Sequence, residues 1–579
     1  MRLDKRKLEA GREELRAARR ESRGLYWFVG VFSFFANLLM LTGPIYMLQV
    51  YDRVLGGGSV ETLIALSVLV LFLYGMMALL DYARGRIMGR VGARFQARLD
   101  RRVFDAVIRK SAVAPDATTA TGLRDLEAVQ RLMTSPVLLS IFDIPWAPFF
   151  FAAIWVFHPW LGVLSLIGGL VLVCVAAINQ LVTRHPVGRA NSASVKAEST
   201  SEKLRSEAEM VQAMGMRDAA FDRWQEARKV ALVEQVRSAD IGGSFITSTK
   251  AFRLLLQSAM LGLGAYLVLR GEMTPGGMIA GSILLGRALA PIEQALGQWA
   301  LVQRAAKGWD SLAELLGAVP PEQPRTALPD PRAILEMQQV TVVAPGESQA
   351  ALKSITFKIE PGQALGVIGT SGAGKSTLAR AITGVWRPAG GKIRLDGASL
   401  DQYDPAVLGR HIGYLPQRVQ LFEGTIAENI ARLSQEPDAA KVVEAAKKAD
   451  AHDMILKLPD GYDTKVSANG GRLSGGQVQR IGLARAMYGE PVILVLDEPN
   501  SNLDNEGSEA VNSAIRSFKA DGKAVVIVAH RPAVIKECDF LLMLENGAAR
   551  AFGPRDKVLQ EVLQNHKDLA ATTTKGGLQ

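Results

Sequence analysis

The sequence predicts an α-helical six-span transmembrane domain followed by an α/β phosphate-loop (P-loop) nucleotide-binding domain, and three observations carry that prediction. Residues up to about Trp299 hold six apolar segments, each long enough to cross a ~30 Å hydrocarbon layer. The connections between those segments alternate between strongly basic and nearly uncharged. Beyond a proline-rich stretch that starts at Pro320, a glycine-rich loop stands between an apolar run and a helix-forming run.

Bulk composition hides this division. Charged residues make up 21% and apolar ones 48% of the 579 residues, both near soluble averages, because two unlike halves are averaged. The net charge of +10 is compatible with a nucleic-acid footprint or with basic flanks of membrane spans. Its distribution favours the flanks and argues against a nucleic-acid partner. The two cysteines, Cys174 and Cys538, fall in different halves and show no metal-ligand spacing, so neither a disulfide framework nor a zinc site is supported.

The spans are placed near Tyr26–Val50, Leu63–Ala83, Leu138–Phe157, Trp160–Val182, Ala251–Leu269 and Pro275–Leu296. A buried soluble helix imitates one of these, but not all six within the first half. The N-terminal segment and the connections after spans two and four are rich in Lys and Arg. The short turns after spans one, three and five carry only Arg53, none and Arg270. That bias puts both termini of a multi-pass membrane protein in the cytoplasm. The run after Arg23 is too long for a cleavable signal peptide and lacks a small-residue cleavage pattern. The first twenty residues read either as an amphipathic interfacial helix or as a disordered positive tail.

The two basic connections read as helical extensions of the spans. One tip is expected near Ala114–Asp125, where Pro115 and a Thr-rich stretch break the pattern, and the other near Glu207–Trp224, around Met214-Gly215-Met216. Long helices projecting from a membrane suit contact with a domain beneath it; the same pattern also fits solvated helices.

Ionisable residues inside spans are functional candidates. Asp143, Arg253 and Arg287 fall at comparable depth, about 18–24 Å from the outer face at about 1.5 Å per helical residue. One reading has them lining a polar translocation cavity, with Asp143 paired to one of the arginines. The other has both arginines snorkelling to the cytoplasmic interface.

Domain boundaries follow: residues 1–24 as a basic segment, 25–317 as the membrane domain, 318–333 as a Pro-rich linker, 334–565 as the nucleotide-binding domain and 566–579 as a polar tail. In the second half, Gly369-Thr370-Ser371-Gly372-Ala373-Gly374-Lys375-Ser376-Thr377 fits the phosphate-loop pattern, between the apolar run Ala364–Ile368 and the helix former Leu378–Ile382. Glycines let backbone N–H groups converge on phosphate oxygens at a helix N-terminus. Lys375 is expected to reach the β- and γ-phosphates of ATP, and the Ser376 hydroxyl to ligate Mg²⁺. Val492–Leu496 is an apolar run ending in Asp497 and Glu498, as a buried parallel strand does at its ligand end. Asp497 is then expected in the Mg²⁺ shell, with Glu498 polarising the attacking water.

Leu473-Ser474-Gly475-Gly476-Gln477 resembles the signature sequence of the ABC ATPase family. The resemblance implies that Ser474, Gly475, Gly476 and Gln477 cap the γ-phosphate held by a partner subunit, so that a homodimer closes two sites. Gln417, in Tyr414-Leu415-Pro416-Gln417, resembles the Q-loop glutamine that senses Mg²⁺. Ser501-Asn502-Leu503-Asp504 resembles the D-loop, and His530, after the apolar run Ala524–Val528, resembles the switch histidine that contacts the γ-phosphate. Two stretches depart from the family: Val340–Pro345 has no aromatic residue to stack on adenine, and Ser467–Gly471 has no glutamate before the signature.

Cargo is argued from the membrane half. Pro44–Leu55, Asp143-Ile144-Pro145-Trp146 with His158-Pro159-Trp160, and Gly286–Glu293 resemble segments of type I secretion permease/ATPases of the PrtD-like group, as does the variant Pro499–Asp504. The resemblance spans nearly the whole chain. It implies ATP-driven export of a secreted protein, unfolded and bearing an uncleaved C-terminal signal, with a periplasmic adaptor (membrane fusion protein) and a TolC-like outer-membrane channel. The chain carries no N-terminal peptidase domain, against the leader-cleaving exporters. A lipid or small-molecule exporter shares every ATPase motif and the six spans, and stays open as the alternative.

Overall fold

The structure is a computed structural model and describes residues 5–323, 325–466, 473–501, 503, 505–529 and 535–561. The chain falls into two compact units that part between Pro321 and Glu322.

The first unit is all helix: α1 (Lys5–Arg20), α2 (Arg23–Leu39), α3 (Thr42–Gln49), a π-helical turn (Val50–Val54) and α4 (Leu55–Gly57), then α5 (Val60–Val113), α6 (Ala117–Met133), α7 (Pro136–Asp143), a 3₁₀ turn (Ile144–Trp146) and α8 (Ala147–Phe157). There follow α9 (Pro159–Ser206), α10 (Ala208–Ala213), α11 (Arg217–Leu269), α12 (Pro275–Gly297) and α13 (Trp299–Ala318). Six helical stretches are long and apolar enough to cross a membrane.

The first span is interrupted. Gly43 and Pro44 open a new helix, and the π-turn that follows aims Asp52 at the N-terminus of α12. There Asp52 Oδ1 accepts from Gly276 N at 2.9 Å. A carboxylate at this end satisfies a donor that the helix leaves unpaired and complements its dipole. A Cβ at Gly276 would lie 2.6 Å from Asp52 Oδ1, so the contact requires glycine. His158 caps α9 by accepting from Trp160 N at 3.2 Å, with Pro159 at the first helical position.

The first of the two tips between spans is shorter than the sequence suggests. Thr118 and Thr119 do not break the helix; Asp116 accepts from both of their N–H groups and opens α6 in a capping box. Only Ala114–Asp116 interrupts the helical run. The second tip falls where expected: α10 ends at Ala213, Gly215 takes φ +65°, and α11 starts at Arg217.

Of the two readings of the N-terminus, the structure takes neither whole. Residues 5–20 are helical, but the apolar face of α1 packs on protein. Leu15 is fully buried in a cluster with Phe95, Leu99, Val103, Leu312 and Leu316. The close approach is set by glycine: a Cβ on Gly11 would lie 2.1 Å from Ala313 O, and one on Gly317 would lie 2.1 Å from Lys7 O. Arg102 ties the bundle, its Nε donating to Glu14 Oε1 at 2.8 Å and its Nη2 to Val319 O at 2.5 Å.

The second unit is an α/β domain on a 10-stranded sheet. Its elements are β1 (Leu335–Val343), β2 (Ala350–Ile359), β3 (Ala364–Gly369), α14 (Lys375–Ile382), β4 (Gly390–Leu395), β5 (Ala398–Ser399), α15 (Pro405–His411), β6 (Ile412–Leu415), β7 (Gly424–Thr425), α16 (Ile426–Ile430), α17 (Ala439–Lys448), α18 (His452–Leu456) and β8 (Lys465–Val466). They continue with α19 (Gly475–Met487), β9 (Ile493–Asp497), α20 (Asn505–Ala520), β10 (Ala524–Val528), β11 (Phe540–Glu545) and β12 (Ala548–Pro554). Strand order is β5-β4-β1-β2-β12-β11-β3-β10-β9-β6. The segment β11-β3-β10-β9-β6 is parallel, and β9 and β10 are buried throughout, as continuous apolar strands covered on both faces should be. The parallel register brings the C-terminal ends of β3, β9 and β10 side by side, with Asp497 opposite Val528 and Val367 also paired to Val528.

Candidate functional site

Strand β3 ends in Gly369 and the chain turns back through the glycine-rich loop into α14. Gly369, Gly372 and Gly374 take φ of +154°, +80° and +100°. A Cβ at Gly369 would lie 2.3 Å from Leu544 O, and one at Gly374 would lie 2.7 Å from Ala351 O. The loop therefore admits no side chain at either point. Lys375 is buried at the start of α14 and folds over its own loop, donating to Gly369 O at 2.9 Å and Thr370 O at 2.8 Å. Burial lowers its pKa, against the attraction of Glu498 and Asp497.

Asp497 ends β9 and is 3% exposed. Burial raises its pKa, and the hydrogen bond with Ser376 opposes the rise. Its Oδ1 has no hydrogen-bond partner. A buried carboxylate oxygen without a partner, beside a serine hydroxyl and a lysine, is chemistry that fits a divalent cation. Glu498 follows in the left-handed region at φ +52°, with its N–H donating to Val528 O at 3.0 Å. Gln417, just beyond β6, donates from Nε2 to Glu498 Oε2 at 2.9 Å. Thus Lys375, Ser376, Gln417, Asp497 and Glu498, far apart in sequence, converge at one edge of the sheet.

The signature segment starts α19. Ser474 Oγ accepts from Gln477 N at 3.3 Å and Gln477 Oε1 accepts from Ser474 N at 2.8 Å, a reciprocal capping box. Ser474 and Gln477 thus fix the first turn, while Gly475 and Gly476 keep it free of side chains. Gln479, which the sequence reading passed over, is buried and donates to Pro499 O at 2.9 Å, tying α19 to the chain after Glu498. His530, Asn502, Asp504 and the segment Ser467–Gly471 lie outside the described residues, as do Pro324 of the linker and the tail from residue 562.

In the membrane unit, Asp143 pairs with an arginine, but not with either one expected. Arg84, 4% exposed, donates from Nη1 to Asp143 Oδ1 at 2.8 Å and to Ser33 Oγ at 2.8 Å. Its Nη2 donates to Asp81 Oδ1 at 2.6 Å, and Asn37 Nδ2 adds a bond to Asp143 Oδ1 at 2.7 Å. Arg253 pairs instead with Glu293, Nε to Oε1 at 2.8 Å. Arg287 is partly buried and makes no ion pair or hydrogen bond among the described residues. The expected pairing of Asp143 with Arg253 or Arg287 is therefore corrected. Arg84 looked like a cytoplasmic flank residue by position, and only the fold turns it into the bundle. Asn37, an amide in the middle of an apolar span, was the available signal.

A six-span helical unit followed by a phosphate-loop domain with this signature helix defines an ABC exporter. Residues 352–501 match the family model described as ABC transporter, and residues 26–289 match the one described as ABC transporter transmembrane region. The chain is 42% identical over 551 residues to the type I secretion system ATP-binding protein PrsD of Rhizobium meliloti (strain 1021), covering 95% of this chain and 94% of that one. It is 27% identical over 537 residues to the leukotoxin translocation ATP-binding protein LktB of Mannheimia haemolytica, covering 92% and 75% respectively. Among solved structures, a bacterial Atm1-family ABC exporter with ATP bound matches with a TM-score of 0.77 at 21% identity, over 96% of this chain and 99% of that one, a likeness of fold. The chain belongs to the type I secretion permease/ATPases of the ABC transporter superfamily. It is an ATP-hydrolysing, multi-pass membrane transporter of the protein secretion class.

Proposed function

We propose that the protein is the inner-membrane exporter of a type I secretion system, moving unfolded polypeptides that carry an uncleaved C-terminal signal. It works as a homodimer, with both termini cytoplasmic, beside a periplasmic adaptor and a TolC-like outer-membrane channel. The observation that carries this reading is similarity along 95% of the chain to a type I secretion ATP-binding protein. A six-span half also makes only half of a twelve-span pore, which favours two copies.

In the ATPase, backbone N–H groups of Gly369–Thr377 cradle the phosphates, and Lys375 exchanges its two carbonyl partners for β- and γ-phosphate oxygens. Ser376, Asp497 and Gln417 would hold Mg²⁺, which when bound neutralises phosphate charge. Glu498 accepts a proton from the attacking water, and the sharp turn at φ +52° aims it past the strand end. Ser474, Gly475, Gly476 and Gln477 of one subunit close over the γ-phosphate of the other, with Asp504 and His530 completing each site. Asp143, Arg253 and Arg287 are assigned to the translocation region; Asp143 acts there within the Arg84 cluster.

The test is reconstitution with C-terminal segments of secreted proteins encoded beside this gene, reading ATPase rate and adaptor recruitment. Stimulation by such a segment supports secretion. Stimulation by lipids alone, with no response to any segment, overturns it in favour of a lipid exporter.

A further inference from the structure

We propose that the cytoplasmic part of α5 is a docking track for extended acidic polypeptide segments, an inference that rests on the polypeptide-export reading. Arg86, Arg90, Arg94 and Arg98 follow one another at four-residue spacing, with Arg101 after them, and all five are exposed. Four residues turn the helix by 400°, so the stripe drifts only about 40° per step. The opposite face of the same stretch, with Met88, Val91, Phe95 and Leu99, is buried, so the arginines point away from the bundle. Along their flank, Gly85, Gly89, Ala93 and Ala97 leave a shelf without bulk, and a Cβ at Gly85 or Gly89 would meet nothing within 4 Å.

Most of the ladder is not neutralised. Arg86 donates to Tyr82 Oη at 2.9 Å, and Arg98 pairs with Glu21 at 3.2 Å with two thirds of its side chain exposed. Arg90, Arg94 and Arg101 make no ion pair or hydrogen bond among the described residues, and the carboxylate of Asp100 stands exposed between the last two rungs.

Three anionic partners are conceivable, and geometry separates them. Lipid headgroups reach the first rungs, since Tyr82 and Arg86 mark the end of the apolar run. The ladder then continues about 22 Å along the helix, well beyond the ~8–10 Å over which a charged surface acts in physiological salt. A second copy of the chain is itself net basic, at +10. An extended polypeptide fits along its length. Its same-side residues repeat every ~6.6 Å, close to the ~6 Å rise between rungs, so alternate carboxylates meet successive guanidinium groups. The small-residue shelf lets the backbone lie close to the helix.

The experiment uses the full chain in phosphatidylcholine nanodiscs and a fluorescein-labelled peptide of alternating glutamate and serine, with a lysine–serine peptide as control. The glutamate peptide is expected to bind, more weakly as salt rises, and the lysine peptide not to bind. Arg90→Gln/Arg94→Gln/Arg101→Gln should weaken binding by about 10-fold with basal ATPase unchanged. Arg90→Glu/Arg94→Glu should gain binding of the lysine peptide, which misfolding cannot produce. Equal affinity of wild type and the glutamine variant overturns the track, as does loss of peptide binding when phosphatidylglycerol is added, which makes the ladder a lipid site. Dissociation of the glutamine variant into monomers also overturns it, by making the ladder a subunit interface. If secreted segments still stimulate ATPase while the ladder variants bind normally, the track fails and secretion stands. If no segment stimulates even the wild type, the secretion reading fails by itself.

Discussion

The guanidinium of Arg84 lies 2.8 Å from Oδ1 of Asp143, with Asn37 buried beside them and the partly exposed Asp81 at the edge of a polar cluster between the first three spans. Removing one partner of such a pair leaves the other buried and uncompensated, at a cost of about 3–5 kcal/mol. Arg84→Met should therefore lower the thermal transition of the detergent-purified protein sharply. Arg84→Met/Asp143→Leu should recover much of the loss, because Asp143 no longer needs a counter-charge. A double variant as unstable as the single one would show that the cluster matters beyond its charges.

Glu498 is the expected base. Glu498→Gln retains an oxygen that can accept from Gln417 Nε2, now 2.9 Å from Oε2, so the local fold should persist. Hydrolysis should fall by about 10²–10⁴-fold, the usual contribution of a positioned base, while ATP binding, read by a fluorescent analogue, stays within about threefold. A variant that hydrolyses at the wild-type rate would move the base elsewhere.

Burial raises the pKa of Asp497 above the ordinary 3.8. The folded form then binds more protons than the unfolded one between 3.8 and the raised value. Stability contributed by this group is therefore present below 3.8 and is lost as pH rises through the folded pKa. At neutral pH the ionised side chain is a burden in the nucleotide-free protein. Asp497→Asn should raise the melting temperature of nucleotide-free protein at pH 7 and flatten its pH dependence, while abolishing hydrolysis. A lower melting temperature would contradict this.

Asp52 caps α12 through Gly276 N at 2.9 Å. Asp52→Ala should cost about 0.5–2 kcal/mol, as other caps do. Asp52→Asn should cost less, since an amide oxygen still accepts. The melting temperatures of the two variants, ranked in that order, check the assignment.

The α1–α13 crossing is equally exposed to test. A Cβ at Gly317 would lie 2.1 Å from Lys7 O, so Gly317→Val should force the helices apart, at about 1–3 kcal/mol. Limited trypsin digestion should then cut within Lys5–Arg20 faster than in the wild type. Unchanged cleavage would mean that α1 does not depend on this crossing.

Much of the site was legible because its chemistry is local. The glycines of 369–374 and the carboxylates after β9 are required at fixed places by backbone geometry and by strand polarity, so spacing reveals them. Gln479 and Asp52 were not legible: each serves a backbone group distant in sequence, Pro499 O and Gly276 N, and nothing in the local pattern points there. The Thr-rich tip was misread because Thr disfavours helix interiors, while a preceding Asp116 turns the same residues into a capped first turn.

By itself the sequence determined the six spans, the phosphate loop, the paired carboxylates and the division of the chain between membrane and nucleotide. These follow from length, period and residue type, which act within a few helical turns or one strand. Only the tertiary structure decided which group each of these charges meets: Arg84 for the buried Asp143, Glu293 for Arg253, Gln417 for Glu498. It also decided that the basic N-terminus folds its apolar face onto α13. A buried charge takes whichever opposite group the packing brings within about 3 Å, and helix packing, not sequence spacing, sets that meeting.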